Sequence, residues 1–179
     1  SDAHSLPKIA REYNKMQVED ISFKEVVKAL KNEDGRKVIA NYGLDPKLGK
    51  YHRTHCDNCE KTIETKEPVD KCPYCGSDKV TFGVFDRIEL IKDKVESESP
   101  ANRPSYIYQV PLGFVPGVGG KTIEKLLDTF DTEMNILHKL SKDDIESVVG
   151  EKIANKIDDA RSGKCIVHAG GGGNYGKIE

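Results

Sequence analysis

The apolar positions of this chain fall into short runs of differing period, separated by polar and glycine-rich stretches. Ile21, Val26, Val27 and Leu30 recur near helical spacing, with Ser22 placed to cap the first turn and Glu25 three positions on. Asn32-Glu33-Asp34-Gly35 ends that helix, and Lys37-Val38-Ile39-Ala40-Asn41-Tyr42 reads as a strand. Over residues 79–90, Val80, Phe82, Val84, Ile88 and Leu90 approach alternation, which predicts a half-buried strand. Residues 94–104 are polar and proline-punctuated, as a linker would be. After an extended start at 105, helical spacing returns. Ile123, Leu126, Leu127 and Phe130 share one face of a helix over 121–130, and a short helix follows over 134–140. Ser141-Lys142-Asp143-Asp144 is a cap with acids in the first turn, and Ile153, Ile157 and Ala160 mark a further helix over 150–160. The glycines at 170–173, followed by Asn174-Tyr175-Gly176, read as a mobile tail or, equally, as a stretch able to approach a phosphate or base closely.

Composition narrows this picture. The chain has 179 residues, of which 36% are hydrophobic, a profile that suits small modules with modest cores better than one large core. No apolar run approaches the roughly 20 residues needed to span a bilayer, and Ser1-Asp2-Ala3-His4-Ser5-Leu6-Pro7-Lys8 lacks a signal-peptide core. The expectation is a soluble, cytoplasmic protein that does not engage membranes. A net charge of −2 gives no bulk electrostatic case for nucleic acid, so any such binding must come from a local site.

Cys56, Cys59, Cys72 and Cys75 supply the strongest chemical signal: C-x2-C, a gap of twelve residues, and C-x2-C. Two tight pairs joined by a short arm suit a tetrahedral metal, each pair clamping it from one turn. Pro73 stiffens the second turn, and Gly76 is free to take a positive φ just past the last ligand. In a reducing compartment thiols favour metal over two disulfides, so one structural zinc and a zinc ribbon over 51–93 are expected. Such a ribbon buries too little to fold alone, and the metal supplies much of its stability. Cys165 lies far from the cluster and reads as a small core residue.

A second signal lies at Val115-Pro116-Gly117-Val118-Gly119-Gly120-Lys121-Thr122, a helix-hairpin-helix signature. Glycines turn the chain tightly and leave the next helix's first amides facing outward, where they and the helix dipole attract a phosphate oxygen. Lys121 and Thr122 add a charge and a hydroxyl. Such contacts ignore base identity. About thirty residues on, Val148-Val149-Gly150-Glu151-Lys152-Ile153-Ala154 is a weaker copy in which Val149 replaces the first glycine and Glu151 adds a negative charge. Gly117, Val118, Gly119, Gly120, Lys121, Thr122, Gly150 and Lys152 are the candidate DNA-binding residues. The acids Asp143, Asp144, Glu146, Asp158 and Asp159 argue against a broad cationic surface.

Three further stretches carry a resemblance. They are Ser1-Asp2-Ala3-His4-Ser5-x-Pro7-Lys8, the run Gly43-Leu44-Asp45-Pro46-x-x-Gly49-Lys50-Tyr51-His52, and the closing Gly-Gly-Gly-Gly-Asn-Tyr-Gly. Together they resemble the C-terminal part of endonuclease Q and related phosphoesterases of the polymerase-and-histidinol-phosphatase (PHP) class. Some relatives carry a helicase label, but no Walker motif stands here. The resemblance implies a longer parent enzyme: a metal-dependent hydrolase barrel, then a zinc module and a helical module, which nicks DNA 5′ of deaminated or abasic sites. Asp2 and His4 match that barrel's last metal-binding motif and suit a hydrolytic site requiring further divalent metal. The rest of the barrel's ligands are absent, so this chain alone is expected to be inactive.

The expected fold class is α+β. Residues 1–50 form a helix-strand remnant of a larger hydrolase domain, 51–93 the zinc ribbon, 94–104 a linker, 105–165 a double helix-hairpin-helix domain, and 166–179 a glycine-rich tail. The expected partner is DNA, held by its backbone without sequence specificity. Two other readings fit the residues: a non-enzymatic DNA-binding adaptor, comparable to recombination mediators that pair four cysteines with a hairpin, and a protein-interaction module. The linker suggests that chelation unfolds 51–93 and leaves the helices folded.

Overall fold

The structure, a computed structural model, describes Leu6, Ile9 and residues 11–179. It is mixed α+β, with small sheets and six α-helices among the described residues. The chain divides into two units, residues 1–44 with 97–109 and residues 45–96 with 110–179.

The first unit is a three-stranded sheet and one helix. Strand β1 (Tyr13–Gln17) leads to helix α1 (Phe23–Lys31) and then to strand β2 (Lys37–Leu44). Ser22 caps α1 by accepting the Glu25 amide, and Asn32 closes it in the left-handed conformation at φ 58°. Arg36 crosses back to α1. Its Nε donates to Glu25 Oε2 at 2.7 Å, and Lys28 reaches both Glu25 and Asp34. The Arg36 guanidinium beside Glu25, helped by the Glu19 amide, holds its carboxyl down to about 2. A depressed carboxylate stabilises the fold above the ordinary glutamate range and loses that contribution as pH falls through the native value. Acidification from about pH 4.5 to about pH 2 is therefore expected to loosen this unit. Glu25→Gln should flatten that part of the pH dependence in circular-dichroism melts; an unchanged profile would contradict it.

In the second unit the ribbon comes first. Its strands are β3 (His55–Cys56), β4 (Lys61–Thr62) and β5 (Val80–Thr81), with β3 in the middle and both pairings antiparallel. The run expected as one strand over 79–90 does not stay extended. It divides at Gly83 into β5 and helix α2 (Val84–Ile91). Asp86 is the residue that breaks the alternation. It is buried on α2, where its carboxylate accepts Thr54 N at 2.6 Å and Thr54 Oγ1 at 2.8 Å and pairs with Arg53 Nε at 3.1 Å. A helix is the conformation that delivers that carboxylate to the Thr54 backbone. Gly83 has no room for a side chain, since a Cβ would stand 2.2 Å from the Arg53 carbonyl carbon.

Residues 105–109, expected to open the helical module, form strand β6 (Ser105–Gln109) of the first unit, parallel to β2 with Ala40 opposite Ser105. The sheet order is β1-β2-β6. The extended start expected at 105 is therefore a strand, and a ladder along Tyr106, Ile107 and Tyr108 satisfies its backbone groups.

The helices follow in the second unit: α3 (Gly120–Phe130), α4 (Glu133–His138), α5 (Lys142–Val149) and α6 (Glu151–Arg161). Thr132 caps α4, and Ser141 caps α5 in a full capping box with Asp144. Leu126, Ile136, Ile145, Ala154 and Ile157 are fully buried. Arg161 fastens α6 to α4 by donating to the carbonyls of Ile136, in the last turn of α4, and Leu140, just past its C-terminal end.

The glycine-rich segment, expected to be mobile, is built into the second unit. Strands β7 (Val167–His168) and β8 (Lys177–Ile178) pair antiparallel, and Ile178 is buried. Gly170 N donates to Lys47 O at 2.8 Å, Gly176 N to Leu48 O at 3.0 Å, and Arg53 N to Gly170 O at 2.9 Å. The glycines serve close backbone packing. A Cβ at Gly170 would lie 2.3 Å from Gly49 O, and one at Gly176 would lie 2.5 Å from His168 O.

Candidate metal centre and nucleic-acid interface

Two turns of the same shape carry the cysteines. In each, the amide of the residue after the second cysteine closes back on the first cysteine's carbonyl: Glu60 N to Cys56 O and Gly76 N to Cys72 O, both at 2.9 Å. Both closing residues are left-handed. Gly76 has φ +73°, as its sequence position predicts, and Glu60 reaches φ +55° despite its side chain. The four Sγ atoms lie within 4.8 Å of one another, with Cys56–Cys75 and Cys59–Cys72 each at 3.6 Å. A tetrahedron with metal–sulfur bonds of about 2.3 Å has edges of roughly 3.8 Å, so the cluster is the right size for one metal ion.

Electrostatics support the same fit. The Ser77 amide and the Asn58 carboxamide donate to Cys75 and hold its thiol down to about 6. Burial, then the neighbouring thiols, pushes Cys59 up to about 12. Thiols so crowded cannot all ionise against water alone, and a divalent cation removes the conflict. The packing around them is thin: Cys56, Ile63 and Cys72 are buried, with Cys59, Val69 and Val80 against them. Lys61 and Tyr74 join the two turns, the ammonium 5.2 Å from the ring centroid.

Three helices of the second unit begin at a bare glycine. At α2 the first amides are used internally: Val84 N donates to Tyr51 O at 2.7 Å and Phe85 N to His52 O at 3.0 Å. The two hairpin helices differ. Gly119 caps α3 without a side-chain hydrogen bond, and the first bonds onto its carbonyl come from Thr122 and Ile123, so the Gly120 and Lys121 amides point out of the helix end. Gly150 caps α6 in the same way, and the first bond runs from Ala154, leaving the Glu151 and Lys152 amides ahead of it. A Cβ at Gly119, Gly120 or Gly150 would meet nothing within 4 Å. The space over these amides is open.

The two hairpins are physically paired. Gly117 turns at φ +89°, and a Cβ there would come within 3.2 Å of Ile153 Cδ1 in the second hairpin. Lys125 of α3 donates to Val148 O at the end of α5. Val118 is buried, so it serves the turn's packing, whereas Lys121 and Lys152 are exposed and Thr122 is half-buried. Asp2 and His4 lie outside the described residues. Sequence reasoning missed Glu60 and Asp86. A left-handed glutamate leaves no local signal, whereas the charge at Asp86 inside an apolar alternation was a usable one.

A family model described as the IMS family HHH motif matches residues 100–132, which hold the first hairpin. The chain is 38% identical to endonuclease Q in a crystal structure with a 27-mer duplex substrate carrying an abasic lesion at the active site, at a TM-score of 0.77 over 95% of this chain. In sequence and in fold, the chain matches a part of endonuclease Q. The lesion-specific endonuclease PfuEndoQ from Pyrococcus furiosus agrees, at 37% identity and a TM-score of 0.77 over 94% of this chain. An uncharacterized protein of Bacillus subtilis, YqxK, is 50% identical over all 179 residues. An uncharacterized protein of Methanocaldococcus jannaschii is 37% identical over 99% of the chain. The chain spans 44–45% of the two endonuclease Q structures, 45% of the Bacillus protein and 24% of the Methanocaldococcus protein.

Proposed function

We propose that this chain is the DNA-engaging portion of a repair endonuclease that nicks damaged, deaminated or abasic DNA. The observation that carries the reading is the pair of uncapped glycine-led helix ends, α3 and α6, locked side by side within a chain whose fold matches endonuclease Q. Gly119, Gly120 and Lys121 would hold one strand's phosphates through backbone amides and the Lys121 ammonium, with Thr122 adding a hydroxyl. Gly150 and Lys152 would take the other strand less strongly, since Glu151 repels the same anion. Contacts of this kind do not read bases, so binding is sequence-independent.

The cysteine cluster would hold zinc, chosen by its all-thiolate tetrahedral donor set, in a structural role with no open position for chemistry. Thiolate ligation is consistent with a reducing compartment, where cysteines do not pair as disulfides. No helix among the described residues is long and apolar enough to cross a membrane. In the longer enzyme, Asp2 and His4 would belong to a PHP-type hydrolytic site with its own divalent metal.

Fluorescence anisotropy with labelled duplex DNA tests the reading. Binding should be independent of base sequence and should weaken steeply with added salt, because each neutralised phosphate releases counterions. Absence of salt-sensitive binding at low ionic strength would overturn it in favour of a protein-interaction role.

A further inference from the structure

A continuous set of contacts runs from the cysteine cluster to the first hairpin, and its middle steps pass through the glycine-rich segment. Cys56 and His55 form β3. Gly172 lies on the His55 ring so closely that a Cβ would stand 2.4 Å from His55 Cδ2, and Gly171 bridges to Arg53, whose amide donates to Gly170 O at 2.9 Å. Three residues beyond Gly172, the Tyr175 ring meets Phe114 edge to face at 5.5 Å and 81°, with Lys50 Nζ 4.8 Å from the Tyr175 ring centroid. Phe114 ends the short 3₁₀ turn Leu112–Phe114, and Val115 then leads into the hairpin, where Val118 N closes onto Val115 O at 3.0 Å. The segment is anchored between these two ends by bonds from Gly170, Gly173 and Gly176 to the carbonyls of Lys47, Lys50 and Leu48.

We propose that residues 167–178 are a strap transmitting the metal state of the four-cysteine cluster to the first hairpin, so that metal and duplex bind cooperatively. Loss of the metal releases β3, the small sheet having little core of its own. The Gly170–Gly172 contacts on Arg53 and His55 then loosen, Tyr175 leaves Phe114, and the Gly119–Lys121 amides lose their fixed aim. Tyr175 is thus a positioning residue that touches no DNA itself. By thermodynamic reciprocity, bound duplex tightens the metal by the same factor. The proposal rests on the DNA-binding reading only for its affinity readout.

The test uses the full chain and two measurements. Hydrogen exchange follows amides 112–121 with the metal bound and after chelation, and anisotropy follows duplex affinity in the same two states. The wild type should show faster exchange and affinity lower on the order of tenfold after chelation. Tyr175→Ala should bind metal at the same stoichiometry and show the loosened hairpin already, with chelation adding little further loss. Tyr175 is 47% exposed, so its truncation leaves the core filled. Tyr175→Phe keeps the ring and should restore the wild-type response. Exchange at 112–121 that ignores chelation in the wild type, or a Tyr175→Ala protein whose response to chelation is undiminished, overturns the strap. A metal-loaded wild type that binds no duplex sinks the DNA reading instead, and hydrogen exchange then decides the strap by itself.

Discussion

Replacing Gly120 with glutamate is expected to cut duplex affinity by about 10- to 100-fold while leaving the helices folded. The two halves of that expectation have separate causes. Gly120 is the first residue of α3, exposed, with nothing within 4 Å of the position a Cβ would take, so the larger side chain meets no steric resistance. An acid in the first turn of a helix is, if anything, mildly stabilising. Yet the carboxylate would sit over the Gly120 and Lys121 amides, filling the site with the same sign of charge as a phosphate. Gly150→Glu at the second hairpin is a weaker test, because Glu151 already stands there and Gly150 needs φ +80°. Anisotropy titrations at fixed ionic strength, with circular dichroism as the control for folding, measure the effect. Unchanged affinity in a folded Gly120→Glu protein would show that the first hairpin holds no phosphate.

Loss of the metal is expected to have the larger effect on stability. Cys72→Ser removes a buried ligand, and the protein should then retain no tightly bound metal by elemental analysis. Structural zinc in small fingers contributes on the order of 10 kcal/mol at neutral pH, as much as most whole domains have to spare. The ribbon's strands are two residues each, and its apolar packing amounts to Ile63, Val69 and Val80 beside the cysteines themselves. Beyond the short ladders and the Thr54–Asp86 bonds, little holds β3 against β4 and β5 once the metal is gone. The melting transition should broaden and fall, with the amides of residues 54–81 losing exchange protection first. A metal-free Cys72→Ser protein that melts like the wild type would show that the cysteines are only a packing cluster. Damage confined to the ribbon, the outcome a flexible linker would give, is not expected. The ribbon shares its unit with the helices, and the strap binds both.

The elements most legible in the sequence are those whose signals are local. Ser22 and Ser141 announce their helices because a cap is a bond between residues three apart, and the two C-x2-C turns announce a metal because each is closed within five residues. The hairpin turn at Val115–Lys121 is legible for the same reason, as is the left-handed Gly76. Misreadings came where a partner far along the chain decides the conformation. Val80, Phe82 and Val84 alternate well enough for a strand, but Thr54, more than twenty residues earlier, draws Asp86 inward and makes a helix of everything after Gly83. Likewise, five residues after the proline-punctuated stretch look like the entry to a helical module, and they pair instead with β2.

The glycine run shows the same division most sharply. Glycines in sequence report only that side chains are absent, which fits a floppy end and a closely packed strand equally well. The tertiary structure decides between them, because carbonyls from residues 47–50 and the His55 ring stand where side chains would have to be. The sequence by itself determined the two cysteine turns, the two hairpin turns and most helix boundaries, all of them set by contacts a few residues long. Only the tertiary structure decided that the closing segment touches both that cluster's strand and the turn before the first hairpin, since those contacts join residues far apart along the chain, His55 to Gly172 and Phe114 to Tyr175.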